Sequence, residues 1–390
     1  MDDSQEYDFI IAGMGCAGLS LALQLLNSQV KFEKILLIDK DLKNKNDRTW
    51  CFWTKEKENW FDSIVFRKWD KFTFESNQFK KEYQLNPYHY LMIRGVDFYD
   101  HCLKKLKADA RFEIITDEIR AIETHENKAV LTTPTYSYNA NYIFNSAVRT
   151  LRLRKKEINY VQHFMGWVIK TEKPVFDETC PSFMNFNTEQ YNDCRFFYTL
   201  PFSKNEALIE YTGFSPEKIS DDLYASELKR YIEIDLDCKE YTIESVEQGE
   251  IPMTEGEFIN TFGERVINIG TAGGNSKPST GYTFYFIQQN TQQIINQLEN
   301  NVSLLRSYKR SKTFLMFDSI LLDVLNEKKI PSRDVFTLLF KLNPINRLLA
   351  FLNEESSVLQ TFKILLNVPK KQFIPSGYKK VLRLFNKTDN

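Results

Sequence analysis

The 390-residue sequence predicts an α/β fold: a Rossmann-like dinucleotide-binding unit, an interleaved sheet domain and a C-terminal helical region. Three observations carry this. A strand, glycine loop, helix, strand and acid follow one another before residue 40. A second glycine-rich loop lies near residue 270, and aromatic-rich alternating segments precede a stretch of helical periodicity that runs to the end.

The first element is "YDFIIAGMGCAGLSLALQLL", a strand over Tyr7 to Ala12 followed by Gly13, Gly15 and Gly18 in G-x-G-x-x-G spacing and then a helix. Gly13 suits the tight turn, Gly15 lets the backbone approach a pyrophosphate, and Gly18 lets the helix pack closely on the strand. The free N–H groups and positive dipole of that helix's first turn favour phosphate. "EKILLIDK" supplies the next strand, ending at Asp39, 21 positions after Gly18 and placed to accept from ribose hydroxyls.

The second glycine-rich element, "RVINIGTAGGNSKPSTGYTFYFIQQ", reads as a strand over Val266 to Ile269, then Gly270, Gly273 and Gly274, then a helix from about Thr283. A late strand, loop and helix of this kind commonly completes an FAD site, so the predicted fold is that of the hydroxylase-like flavoproteins. The expected organisation is a discontinuous FAD-binding domain over 1–80, 91–150 and 258–300, a substrate-binding sheet domain over 151–257, and a helical region over 301–390. Phe, Tyr and Trp together make 14% of the chain, which suits an aromatic-lined cavity as well as an ordinary core.

"RFFYTLPFSKNEALIEYTGFS", residues 195–215, reads as two strands joined by a polar turn. Alternation puts Leu208, Glu210 and Thr212 on one face and Ala207, Ile209 and Tyr211 on the other. Taken alone, an acid in a strand is most simply an edge residue facing water. Among apolar neighbours it is held protonated or paired with a cation.

Further segments narrow the reading. They are "NDRTWCFW" (46–53), "LMIRGVDFYDHC" (91–102), "FYTLPFS" (197–203), "LIEYT" (208–212), "EQGEIPMT" (247–254) and "GTAGGNSKPSTGYTF" (270–284). With the glycine-rich start, they resemble the lycopene cyclases of carotenoid biosynthesis, in particular the bacterial beta-cyclases, over nearly the whole chain. The family's essential acid falls on Glu210. Its second acidic position is Tyr211 here, "GTAGGN" lacks the aspartate common in related flavin enzymes, and "YIFNSAV" places Asn145 and Ser146 where another turn is usual.

The resemblance implies a redox-neutral cyclisation of lycopene and related acyclic carotenoids, with FAD in its reduced form and NAD(P)H as reductant. Protonation of an unactivated terminal double bond is the barrier, and a desolvated, neutral Glu210 suits it. Glu250 is a second candidate proton handler. Trp50, Phe52, Trp53, Phe197 and Tyr211 are candidate faces for the cation, and Arg48 and Arg94 are candidate cofactor contacts. The same fold could instead host a monooxygenase or reductase acting on an isoprenoid.

Bulk properties exclude other classes. The net charge of −1 hides 16 basic and 7 acidic residues after position 301, a local basic surface and not the global excess of a nucleic-acid binder. Six cysteines show no CxxC pairing, and His89, His101, His125 and His163 have no metal spacing, so no metal is expected. The acidic N-terminus lacks a signal-peptide pattern, and no apolar run approaches the roughly eighteen residues of a membrane-spanning helix. A cytoplasmic protein docked peripherally on a membrane through its basic, Leu/Phe-rich helical end is the expectation.

Overall fold

The computed structural model describes residues 5–148, 151–152, 157–305 and 310–385. Nine helices are labelled in chain order among them: α1 (Cys16–Leu26), α2 (Gly95–Lys107), α3 (Asp221–Arg230), α4 (Phe284–Glu299), α5 (Lys312–Glu327), α6 (Ser332–Leu342), α7 (Ile345–Leu352), α8 (Val358–Leu365) and α9 (Lys370–Phe385).

The first sheet has the parallel order Val266–Asn268, Ser137–Asn145, Gln5–Ala12, Ile35–Asp39, Phe112–Thr116, with Thr261–Phe262 antiparallel at one edge. Its central strands are continuous apolar runs because helices and other strands cover both faces. Ile11, Leu37 and Phe144 face α1, while Ile10, Leu36 and Ile143 face the hairpin of residues 121–132. The Rossmann-like unit forms as expected.

The second sheet runs in the order Tyr241–Thr254, Asn159–Thr171, Glu206–Ser215, Cys194–Ser203, Ser182–Asn185, Lys71–Ser76, Phe79–Gln84. Residues 71–80, expected with the segment 1–80, belong here, and 81–84 continue the same hairpin. Phe72 and Phe74 are fully buried and alternate with half-buried Lys71, Thr73 and Glu75, so this hairpin needs an apolar layer, which Phe183 and Phe340 supply by stacking. The expected boundary at 150/151 falls partly on residues outside those described. A three-stranded sheet, Thr49–Thr54, His89–Arg94 and Arg67–Trp69, lies between the two larger ones.

Helices α5–α7 place Leu322, Leu325, Phe336, Phe340, Leu348 and Leu349 against one face of the second sheet. They are tied to the second glycine-rich loop by a buried ion cluster. Lys277 Nζ lies 2.6 Å from Asp318, Arg310 lies 2.8 Å from the same carboxylate, and Glu354 contacts both cations. Four charges inside the protein are tolerable only because each is paired. Burial lowers the Lys277 pKa to about 8. Asp318→Ala leaves two cations sharing one acid, and we expect it to cost about 3–5 kcal/mol in urea unfolding; a change under about 1 kcal/mol would show that the cluster does not hold the helices.

Candidate active site

The loop from Gly13 to Gly18 joins the first strand to α1. Gly13 has φ +101°, and a Cβ there would lie 2.4 Å from Ser146 Oγ. A Cβ on Gly18 would lie 2.0 Å from the Gly13 carbonyl oxygen, so the helix rests directly on the loop. Gly15 differs, because among the described residues no atom lies within 4 Å of its would-be Cβ. Helix α1 begins there with no side-chain cap and no acid in its first turn, which leaves its leading N–H groups open to an anion.

Asp39 accepts from the Met14 amide at 2.6 Å, so its carboxylate sits at the glycine loop. Gly270 (φ +61°) brings the second loop against α1, where its Cβ would fall 2.7 Å from that of Ala17. Gly273 lies against the Asn268 carbonyl, and Gly274 (φ +76°) against Phe258. Asn145 and Ser146 close the space between: Asn145 donates to the Asn268 side chain at 2.7 Å, and Ser146 Oγ donates to the Ala12 and Gly13 carbonyls. Gly13, Gly15, Gly18, Asp39, Gly270, Gly273 and Gly274 are thus gathered at the carboxyl ends of the parallel strands, where open α/β sheets bind ligands. These residues fit a dinucleotide.

The side chains of Arg48 and Arg94 make their contacts elsewhere. Exposed Arg48 donates to the Gln248 carbonyl at the edge of the second sheet. Arg94 forms a bidentate pair with Asp97, 2.6 and 2.9 Å, and lies 3.9 Å over the ring of Phe66.

Glu210 lies on the inner face of the second sheet, as alternation requires. Its row is Tyr198, Glu210, Gly166, Glu247 across four neighbouring strands. Gly166 makes room between the two acids, since a Cβ there would lie 3.2 Å from Glu247 Cγ, 3.6 Å from Glu210 Cβ and 2.8 Å from Leu208. Thr212 Oγ1 donates to Glu210 at 2.6 Å, and Thr49 Oγ1 donates to Glu247 at 2.7 Å.

These environments push the two carboxyls differently. A little of Glu210 remains accessible, but burial is the main cause raising its pKa to about 8, with the neighbouring Glu247 adding and Thr212 opposing. Burial also raises Glu247, against the Thr49 hydroxyl and the Arg48 charge, which favour its ionised form. Glu210 is the natural seat of a proton at neutral pH.

Glu250 is on the other face of its strand and exposed. It pairs in register with His163, whose ring is buried between Tyr224 and Ser215 (2.6 and 2.7 Å) and lowered by burial to a pKa of about 4. The second acid near Glu210 is therefore Glu247. Both acids belong to "EQGEIPMT", three positions apart, and strand alternation alone separates their faces; which one meets Glu210 depends on register with the Gly166 strand. Phe197 and Tyr211 are likewise on the outer face, where Phe197 stacks on Tyr231 at 4.1 Å. The aromatic ring of the Glu210 row is Tyr198. Trp50 and Phe52 pack on Phe284, and Trp53 meets Tyr282 edge-on at 4.8 Å.

Tyr198 also lines an apolar cavity of about 390 Å³ between the inner sheet face and the C-terminal helices, with Phe214, Tyr282, Phe336 and Phe340. Phe362, Leu366 and Ile374 line its far side and are at the same time 55%, 50% and 65% exposed, so the cavity reaches the surface between α8 and α9. No helix among the described residues is long and apolar enough to cross a membrane.

Paired sheets with a glycine cradle at the strand ends define a flavoprotein-type fold, and solved structures bear this out. A geranylgeranyl bacteriochlorophyll reductase-like protein from Thermoplasma acidophilum superposes over 98% of this chain and 100% of its own, with TM-score 0.62 and 13% identity. The halogenase PltM in complex with phloroglucinol and FAD does so over 93% and 86%, with TM-score 0.59 and 14% identity. The family profile described as lycopene cyclase protein matches residues 8–376. The chain belongs to the lycopene cyclase family. The lycopene beta-cyclase of Pantoea ananas is 23% identical over 284 residues, 71% of each chain.

A raised pKa makes a stability prediction. Between the ordinary value of 4.5 and about 8 the folded protein keeps a proton on Glu210 that the unfolded chain has lost, so stability falls as pH rises through that window. Glu210→Gln removes this dependence. We expect the variant to melt higher than its parent above pH 8 and the gap to close toward pH 4.5; parallel melting curves across the range would refute the buried, protonated state.

Proposed function

We propose that this carotenoid cyclase family member is a lycopene beta-cyclase that closes the ends of lycopene into beta-ionone rings without net oxidation or reduction. The observation that carries the reading is the neutral carboxyl of Glu210, set on the sheet face whose neighbouring Tyr198 also lines an apolar cavity. A polyene hydrocarbon offers no polar handle, so an apolar, aromatic-lined space is the complement it needs.

Glu210 gives its proton to the terminal double bond, leaving a tertiary cation and a carboxylate. The adjacent double bond attacks that cation and closes the ring, and one ring proton leaves. One proton enters and one departs, so the mass is unchanged. Tyr198 lies beside the acid and offers an aromatic face to positive charge, and the apolar cavity wall keeps out water that would trap the cation.

FAD would be held by Gly13, Gly15, Gly18, Asp39, Gly270, Gly273 and Gly274. In its reduced form, kept so by NAD(P)H, the chemistry the cofactor supplies when bound is electrostatic stabilisation of developing positive charge. Helices α8 and α9 would rest on the membrane surface from the cytoplasmic side, with exposed Val358, Leu359, Phe362 and Ile374 toward the lipid and Lys363, Lys370 and Lys371 toward its head groups. Helices α5–α7 turn their apolar residues to the core, so within the helical end α8 and α9 are left to supply this face.

Two experiments test the reading. Anaerobic incubation with lycopene in liposomes, FAD and NADPH is expected to give a product of identical mass and altered retention, with Glu210→Gln reduced at least about 100-fold; a mass change would instead indicate a reductase or monooxygenase. Flotation with vesicles containing anionic lipid should recover the parent protein and lose most of a Phe362→Ser/Ile374→Ser variant. Equal flotation of the two would remove the α8–α9 contact.

A further inference from the structure

We infer that Glu247 is a positioning residue for the catalytic proton: its carboxylate, fixed by Thr49 and facing Glu210 across Gly166, keeps one shared proton of the pair on Glu210. The inference rests on the reading of Glu210 as the acid.

The geometry supports it from both sides. The two glutamates are on the strands that flank the Gly166 strand, in one register row and on one face. Any side chain larger than hydrogen at 166 would occupy the space between them. Two carboxylates so placed in a buried site cannot both ionise easily, so the pair retains a proton. Its location follows from the neighbours. Glu247 has the Thr49 hydroxyl and the positive charge of Arg48, which together outweigh the opposing charge of Asp47. Among the described residues Glu210 has one hydroxyl donor, Thr212, and no cation. The other titratable groups that act on the pair are Cys51 from the three-stranded sheet and Tyr198 from the next strand, with Tyr90 and Tyr282 beside those two; Tyr224 of α3 approaches through the opposite face. Burial holds every one of these neutral near pH 7.

The consequence for turnover is balanced in protons. When Glu210 has protonated the substrate, two carboxylates face each other across Gly166. Their repulsion makes Glu210 a strong acceptor, and the pair regains one proton as the ring loses one. Glu247 thus acts on the chemistry through its neighbour.

The test is an infrared titration of the protonated-carboxyl stretch, with the pH profile of lycopene conversion, on the FAD-loaded protein and its Glu210→Gln, Glu247→Gln and Glu247→Asp variants. The parent should show a carboxyl proton at pH 7 that Glu210→Gln abolishes. In Glu247→Gln that band should remain but titrate at least one pH unit lower, and the alkaline limb of activity should move with it. Glu247→Asp should restore part of the shift, which a purely structural role would not do. An unchanged midpoint in Glu247→Gln overturns the inference while leaving Glu210 as the acid. A Glu210→Gln variant that is still active overturns the underlying reading instead. The infrared band is read whether or not a variant turns over, so even an inactive Glu247→Gln protein separates a lowered midpoint from an unchanged one.

Discussion

Keeping a carboxyl group neutral at physiological pH inside a sheet is the constraint around which this molecule is organised. Burial alone favours the neutral form, but a lone acid in an apolar layer is more simply lost than kept. Here the cost is shared by a row of four positions on four strands. Gly166 gives up its side chain to bring Glu210 and Glu247 together, and Thr49 crosses from the three-stranded sheet to hold the second acid. The carboxyl pair therefore links the sheet that bears the acid to the segment that runs on into the dinucleotide unit.

The remaining architecture surrounds that row with two different environments. Toward the parallel sheet, glycines at 13, 15 and 18 and at 270, 273 and 274 thin the backbone, so that two loops and the start of α1 meet closely. Toward the C-terminal helices, the same sheet face turns aromatic. Phe74 stacks on Phe340 at 4.2 Å and Phe186 on Phe336 at 5.6 Å, which fixes α6 to the sheet. The Lys277–Asp318–Arg310–Glu354 cluster fixes α5 and the end of α7 to the second glycine-rich loop. Cavity wall and glycine loops are in this way braced against each other, while α8 and α9 keep an apolar outer surface.

On the proposed reading, this division of labour lets a fold shared with a reductase-like protein and a halogenase serve a cyclisation. The glycine cradle belongs to the fold and says little about the reaction. The chemistry of the proposal is on the second sheet, where Glu210, raised by burial, neighbours Tyr198 at the wall of the apolar cavity. An acid that can reach an alkene is of little use where water or a nucleophile would intercept the cation.

Much of this was legible in the residues. The G-x-G-x-x-G spacing, Asp39 and the second glycine loop are local features whose physical demands, a positive φ or the absence of a Cβ, are written at single positions, and Glu210 is marked by alternation within its own strand. The last helices are visible from their period. Register and packing decided the rest. Only pairing across the Gly166 strand shows that Glu247, and not Glu250, meets Glu210, and only pairing with the preceding strand puts Tyr198 in its row, while alternation alone already sets Tyr211 on the other face. Residues 71–84 join the second sheet for a similar reason, since their alternation fits any sheet and their partners lie a hundred residues onward. A sequence states which side of a strand each residue takes; which strand lies beside it, and in what register, is set by long-range burial that no local pattern encodes.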